Sequence, residues 1–217
     1  MQAREATIAV MDFESTGVVG NLPDEPWQIG VVELAAGRVA PGRCYKRLLR
    51  VGERPFSPYA PGRYRDVTHA IHEAPELASL WGELRPWLAG RPLAAHNIAT
   101  ERRFVRRAFP LHRLGPWVDT LKLVRLVHPE LPTHKLEDVT VKLELDARVR
   151  ELCPGREAHD ALYDATACAV LLEHLLSLPS WRNVSIEALV QAHPGRYHQA
   201  RAATREPPSK KSGGNRP

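Results

Sequence analysis

The 217-residue sequence has only three cysteines, Cys44, Cys153 and Cys168, an odd count without the close spacing of a metal or disulfide framework. They predict reduced thiols and a cytoplasmic protein. No apolar stretch approaches the length of a membrane span. The run from Ala6 to Met11 is too short for a secretory signal and no cleavage-site pattern follows it. These absences argue against a membrane protein or a disulfide-stapled secreted domain, and no internal repeat suggests a solenoid. A strong charge is also missing from most of the chain. The formal net charge is +5, but Arg201, Arg205, Lys210, Lys211 and Arg216 face a single acid, Glu206, in the last residues. The rest carries only about +1 on the same count. Basicity therefore says little about what the main part of the chain binds. Residues 199–217, rich in Pro, Gly, Ser and charge, are expected to form a basic, disordered tail, either simply solvated or a loose polyanion-binding arm. Residues 1–198 are expected to form one domain.

With 43% hydrophobic and 25% charged residues, the composition is that of an ordinary globular protein. "ATIAVMDFE" reads as a strand, and residues 27–51 as two more with a turn at "AAGR". Residues 52–66, with Pro55, Pro58, Pro61 and Gly62, read as a loop. Helical spacing runs through 75–88, where Leu77, Leu80, Trp81, Leu84 and Leu88 share a face. "RPLAAHN" is a short strand entering a turn, followed by the helix "ATERRFVRRAF". "PWVDT" is a short buried strand whose Asp119 or Thr120 can cap the helix "LKLVRLVH". "HKLEDVTVKLEL" and the long segment 159–178 are helices, and 185–192 adds a last turn or two. This order predicts an α/β domain with a mixed central sheet of about five strands flanked by helices.

Three groups of acids stand out. Asp12 and Glu14, two apart on a strand, project from one face with backbones roughly 7 Å apart, close enough for their carboxylates to reach one hard cation. Gly17 lets the chain turn sharply just beyond them. Glu101 lies in the first turn of its helix, where the helix dipole alone would also favour an acid. On that helix Arg102, Arg103, Arg106 and Arg107 form a basic face, either solvated or in contact with phosphate. In "HDALYDATACAVLL", His159 stands at a helix entrance and Asp164 sits among apolar residues, so Asp164 needs a partner. Asp160 reads as a first-turn acid favoured by the dipole.

Taken together in chain order, "DFESTG", "AHNIATERRF" and "HDALYDA" resemble the three motifs of the DEDDh family of 3′–5′ exonucleases, and the likeness extends over about residues 6–178. It implies an RNase H-like fold and two divalent cations, Mg²⁺ or Mn²⁺, held by Asp12, Glu14, Glu101 and Asp164. His159 is then the general base, an imidazole being the side chain that titrates nearest neutrality. Ser15, Thr16 and Gly17 would receive the terminal nucleotide with Val18 or Val19 against its base, and His96 and Asn97 join the substrate-binding set. Glu101 stands where the family has Asp, one methylene longer, and the "YRDVTH" loop lacks the usual His-Gly. The implied activity releases nucleoside 5′-monophosphates from single-stranded nucleic acid or 3′ ends, DNA favoured over RNA, with no membrane. A polymerase partner or a homodimer is left open. The competing expectations are an RNA 3′-end trimming exoribonuclease and a catalytically weakened nucleic-acid-binding module.

Overall fold

Strand β1 (Ile8–Ser15) carries apolar residues on both faces, so it has to be covered on both sides. The computed structural model, which describes residues 1–60 and 62–193, shows how. β1 pairs antiparallel with β2 (Pro26–Ala35), and β2 pairs antiparallel with β3 (Arg38–Leu48). The turn between β2 and β3 falls at Ala36 and Gly37, both at positive φ. Helix α1 (Thr68–Glu73), a 3-10 turn at Leu77–Leu80 and α2 (Trp81–Leu88) follow. Then come β4 (Leu93–Ala95), α3 (Ala99–Ala108), β5 (Trp117–Asp119) and α4 (Thr120–Val127). The last helices are α5 (Leu136–Lys142), α6 (Asp146–Leu152), α7 (Ala161–Ser177) and α8 (Ile186–Val190).

The five strands form one mixed sheet in the order β3-β2-β1-β4-β5, with β4 and β5 parallel to β1. This is the mixed sheet that the element order predicts. Ile8 and Val10 face a core built with α7, including Leu171, Leu172 and Leu175. Ala9, Met11 and Phe13 face a second core with Leu84 and Leu88 of α2 and Phe104 and Val105 of α3. Asp12 and Glu14 lie in phase with Ile8 and Val10, so the acids point to the α7 side, where the strand passes beyond the core.

Two helices, α1 and α6, occur where the sequence pattern gave none. α1 buries only Ile71 and α6 only Val149, too few positions for a helical period to show. The segment 75–88 begins as a 3-10 turn and becomes α-helical only from Trp81. The three cysteines are free thiols. No helix among the described residues is long and apolar enough to cross a membrane. The expected boundary at residue 198 and the tail beyond it lie outside the described residues.

Candidate active site

The site is assembled around the start of α7. Gly30 and Gln28 of β2 stand opposite Asp12 and Glu14 of β1 in register. The absence of a side chain at Gly30 lets α7 come down on the sheet: a Cβ there would lie 2.2 Å from the Ala161 carbonyl oxygen. Gln28, buried, accepts a hydrogen bond from the Ala161 N–H at 2.9 Å. Asp160 is the N-cap of α7 rather than a first-turn acid. Its Oδ1 accepts from the N–H groups of Leu162 and Tyr163 (3.1 and 3.4 Å). Its Oδ2 meets Lys46 at 2.6 Å, Arg156 at 2.9 Å and Gln28 Nε2 at 3.4 Å. These cations hold its carboxyl below the usual range against the opposing effect of burial, which is the largest single influence. The sequence placed Asp160 one position too far into the helix because a cap and a first-turn acid look alike in one dimension.

This anchoring fixes His159 in the left-handed region at φ 67°, unusual for a residue with a Cβ. Its N–H donates to Asp164 Oδ2 at 2.9 Å, and its imidazole is exposed. Asp164 sits one turn into α7, and Glu14, His159 and Asp164 each bring a ligand-type atom within 4.8 Å of the others. His159 and Asp160 also border a cleft of about 450 Å³ with Trp27 and Arg63. Gly62, at φ +92°, closes on this point: a Cβ there would lie 3.0 Å from the His159 carbonyl and 3.3 Å from Glu14 Oε2.

The charges are concentrated and poorly solvated. Glu14 is only 4% exposed, and burial, then Asp164 and Asp160, push its pKa up to about 8. Burial likewise raises Asp164 to about 6, against the His159 N–H, which favours its ionised form. The half-buried Asp12 is pushed well above the usual carboxylate range by desolvation and then by Glu101, Asp164 and Glu14. Glu101, 5% exposed, is raised to about 7, mainly by burial, with Asp119 adding to it. The four acids therefore form one electrostatic unit. Glu101 Oε2 is buried with no hydrogen-bond partner. An acid serving only the helix dipole would point to solvent; this one keeps an orphaned oxygen buried, with its charge acting on Asp12 and Asp119 acting on it. Oxygen donors, concentrated negative charge and an unsatisfied carboxylate oxygen fit divalent cations.

The remaining predicted residues are mostly held by the protein itself. Thr16 is buried; its N–H donates to the Glu25 carbonyl and its carbonyl accepts from Ser57 N–H. The Gly17 N–H donates to Asp24 Oδ1 at 2.9 Å. Neither N–H is left for a nucleotide, whereas Val18 is 67% exposed at the tip of this turn. Ser15 follows a register irregularity in β1, of the kind that re-aims side chains beside active sites. His96 Nε2 donates to the His134 carbonyl at 2.8 Å and its Nδ1 lies 3.0 Å from Thr120 Oγ1, so both ring nitrogens are engaged. Asn97, at φ 73°, donates its N–H to Asp119 Oδ1.

Asp119 is the residue the sequence undervalued. It caps α4 through Leu121 N–H, as expected, but the same Oδ1 also takes the Asn97 N–H, tying the turn that precedes Glu101 to the end of β5. The only sequence signal was a cap, which occurs on many helices without functional meaning. The four arginines of α3 also divide: Arg103 pairs with Asp24 and Arg107 with Glu25, pinning the turn after β1.

Comparison with known proteins agrees with this geometry. The RNase T model of the exonuclease family matches residues 9–172. The chain belongs to that exonuclease family. Among relatives, the PolC-type DNA polymerase III of Bacillus cereus is 27% identical over 178 residues, 79% of this chain and 11% of the polymerase. That of Bacillus subtilis is 26% identical over 179 residues, 79% of this chain and 12% of the polymerase. The chain thus spans about a tenth of the length of these polymerases. Exonuclease X in complex with 5′ overhanging duplex DNA shares the fold with TM-score 0.64 and 23% identity, over 84% of this chain and 99% of that one. The nuclease domain of 3′hExo, a DEDDh member bound to rAMP, has TM-score 0.60 and 18% identity, over 81% and 94% of the two chains. These neighbours establish an RNase H-like exonuclease fold.

Proposed function

We propose that the domain hydrolyses the terminal phosphodiester of single-stranded DNA from the 3′ end, releasing nucleoside 5′-monophosphates with two divalent cations and His159 as general base. The observation that carries this reading is the convergence of His159 with Glu14 and Asp164, together with a Glu101 whose buried oxygen has no partner and whose charge acts on Asp12. Asp12, Glu14, Glu101 and Asp164 would hold the cations. Such ions, when bound, activate a water and stabilise charge on the leaving oxygen. The chain's own residues do the rest. The exposed His159 imidazole accepts a proton from the attacking water. Asp164 holds the backbone N–H of His159, and Gln28 and Asp160 fix the helix start that follows it. The turn after β1, pinned by Arg103 and Arg107, presents Val18 to the terminal base.

DNA is favoured over RNA because the curated relatives are DNA polymerases and Exonuclease X was solved on DNA. The test is a time course on 5′-labelled and 3′-blocked strands, DNA and RNA of equal length, with Mg²⁺, Mn²⁺ or EDTA. Stepwise shortening of free 3′ ends, faster for DNA and abolished by EDTA, is expected. Cleavage of 3′-blocked strands at the same rate, or full activity in EDTA, overturns the reading, and faster shortening of RNA overturns the substrate assignment.

A further inference from the structure

Arg102 and Arg106 sit one turn apart on α3, yet unlike Arg103 and Arg107 they have no ion-pair partner among the described residues. Both line a groove of about 370 Å³ that also contains Arg113, equally unpaired. All three guanidinium-bearing residues are exposed. Phe109 and Trp117 form the groove's apolar floor, and exposed His112 on its rim stacks on Trp81 at 3.8 Å between ring centroids. No acidic residue lines the groove. Elsewhere Arg43, Lys46, Arg47, Arg91, Arg148, Arg150 and Arg156 are each matched by a carboxylate.

The position of the groove is as informative as its charge. Arg102 directly follows Glu101, whose charge acts on Asp12, and Arg106 lies a turn farther along the helix. Arg113 follows beyond the C-terminal end of α3. From Arg102 to Phe109 the helix advances roughly 10 Å. Arg102 and Arg106 therefore share a face of α3, and Arg113 lines the same groove beyond its end. Unpaired guanidiniums over an apolar floor, with no side chain arranged to read base edges, suit a sugar-phosphate backbone of any sequence.

We infer that this groove is a secondary binding track for the phosphates of the single strand upstream of its 3′ end, engaging about three phosphates beyond the catalytic site. The inference rests on the nuclease reading above. It makes the enzyme's grip on substrate depend on strand length and salt while the chemical step does not.

The test compares wild type with the triple variant Arg102→Gln, Arg106→Gln, Arg113→Gln. A second triple variant, Arg43→Gln, Arg47→Gln, Arg148→Gln, removes the same charge elsewhere. Each is assayed on a trinucleotide and on a single-stranded 20-mer across a salt series, with binding of the 20-mer measured in a His159→Ala background. At about 0.7 per phosphate contact on single strands, loss of three contacts should lower the slope of log affinity against log salt by about 2. We expect at least a tenfold rise in KM for the 20-mer at low salt, roughly the effect of losing a few such contacts. Turnover of the trinucleotide should stay unchanged, and the second variant should keep the wild-type slope. An unchanged slope in the groove variant, an equal change in both variants, or an equal loss on the trinucleotide overturns the track. Wild-type inactivity on every strand would instead overturn the nuclease reading.

Discussion

Without bound cations, the acidic site should make this protein lose stability as pH rises. Glu14 has a native pKa of about 8 against 4.5 for an unperturbed glutamate. Between those values the folded state keeps a proton that the unfolded chain releases. Its contribution is fully present below pH 4.5 and is lost as pH rises through about 8. Glu101, raised to about 7, and Asp164, raised to about 6, act with the same sign. For Glu14 alone the change from pH 5 to 8 is on the order of 3 kcal/mol. In a chain of this size that corresponds to roughly 6–12 °C in Tm. Calorimetric melting in EDTA at a series of pH values should show this fall. Saturating Mn²⁺ should remove it, because the cations supply the missing positive charge. Glu14→Gln, which removes the titrating group, should flatten the EDTA profile and raise the metal-free Tm at pH 8. A metal-free wild type as stable at pH 8 as at pH 5, or a Glu14→Gln profile as steep as wild type, would refute the reasoning. Either result would mean that the carboxylates are solvated rather than crowded.

Further outcomes follow from contacts at His159, Glu101 and Gly30. His159→Ala should lower kcat by roughly 10²–10⁴-fold, the usual worth of general base catalysis, while calorimetric titration finds cation affinity nearly unchanged. Loss of cation binding in that variant would make the imidazole a ligand. Glu101→Gln should raise metal-free stability, since a neutral amide is less costly to bury, but impair turnover with both Mg²⁺ and Mn²⁺. Glu101→Asp should shift preference toward Mg²⁺, whose octahedral demand tolerates the longer side chain less well. A fully active Glu101→Gln would remove Glu101 from the site. Gly30→Ala should cost about 1–3 kcal/mol in thermal unfolding, as for other overpacked contacts, because its Cβ cannot share space with the Ala161 backbone. It should also lower kcat, since the start of α7 carries both His159 and Asp164. Unchanged kcat would show that the helix start can move without displacing the site.

Much of this was legible in one dimension. Short apolar runs bounded by turn residues gave five strands, and the 3.6-residue helical period gave the principal helices. The acids Asp12, Glu14 and Asp164 stood out because an apolar pattern leaves a carboxylate without a local reason. Helices α1 and α6 stayed hidden because each buries a single residue, Ile71 and Val149, and one position shows no period. Other features depended on residues far apart in the chain. Asp160 became a cap held by Lys46 and Gln28 only when β2 and β3 packed under α7. Gly30 acquired its role from a helix start more than 130 residues away in sequence, which no local pattern can announce. The four arginines of α3 read as one basic face until folding paired two with Asp24 and Glu25 and left two along an open groove. The sequence by itself determined which chemical groups the protein carries and the periods that bury its core. The tertiary structure decided which of those groups are neutralised, strained or left unsatisfied, because charge and desolvation depend on neighbours in space rather than in the chain.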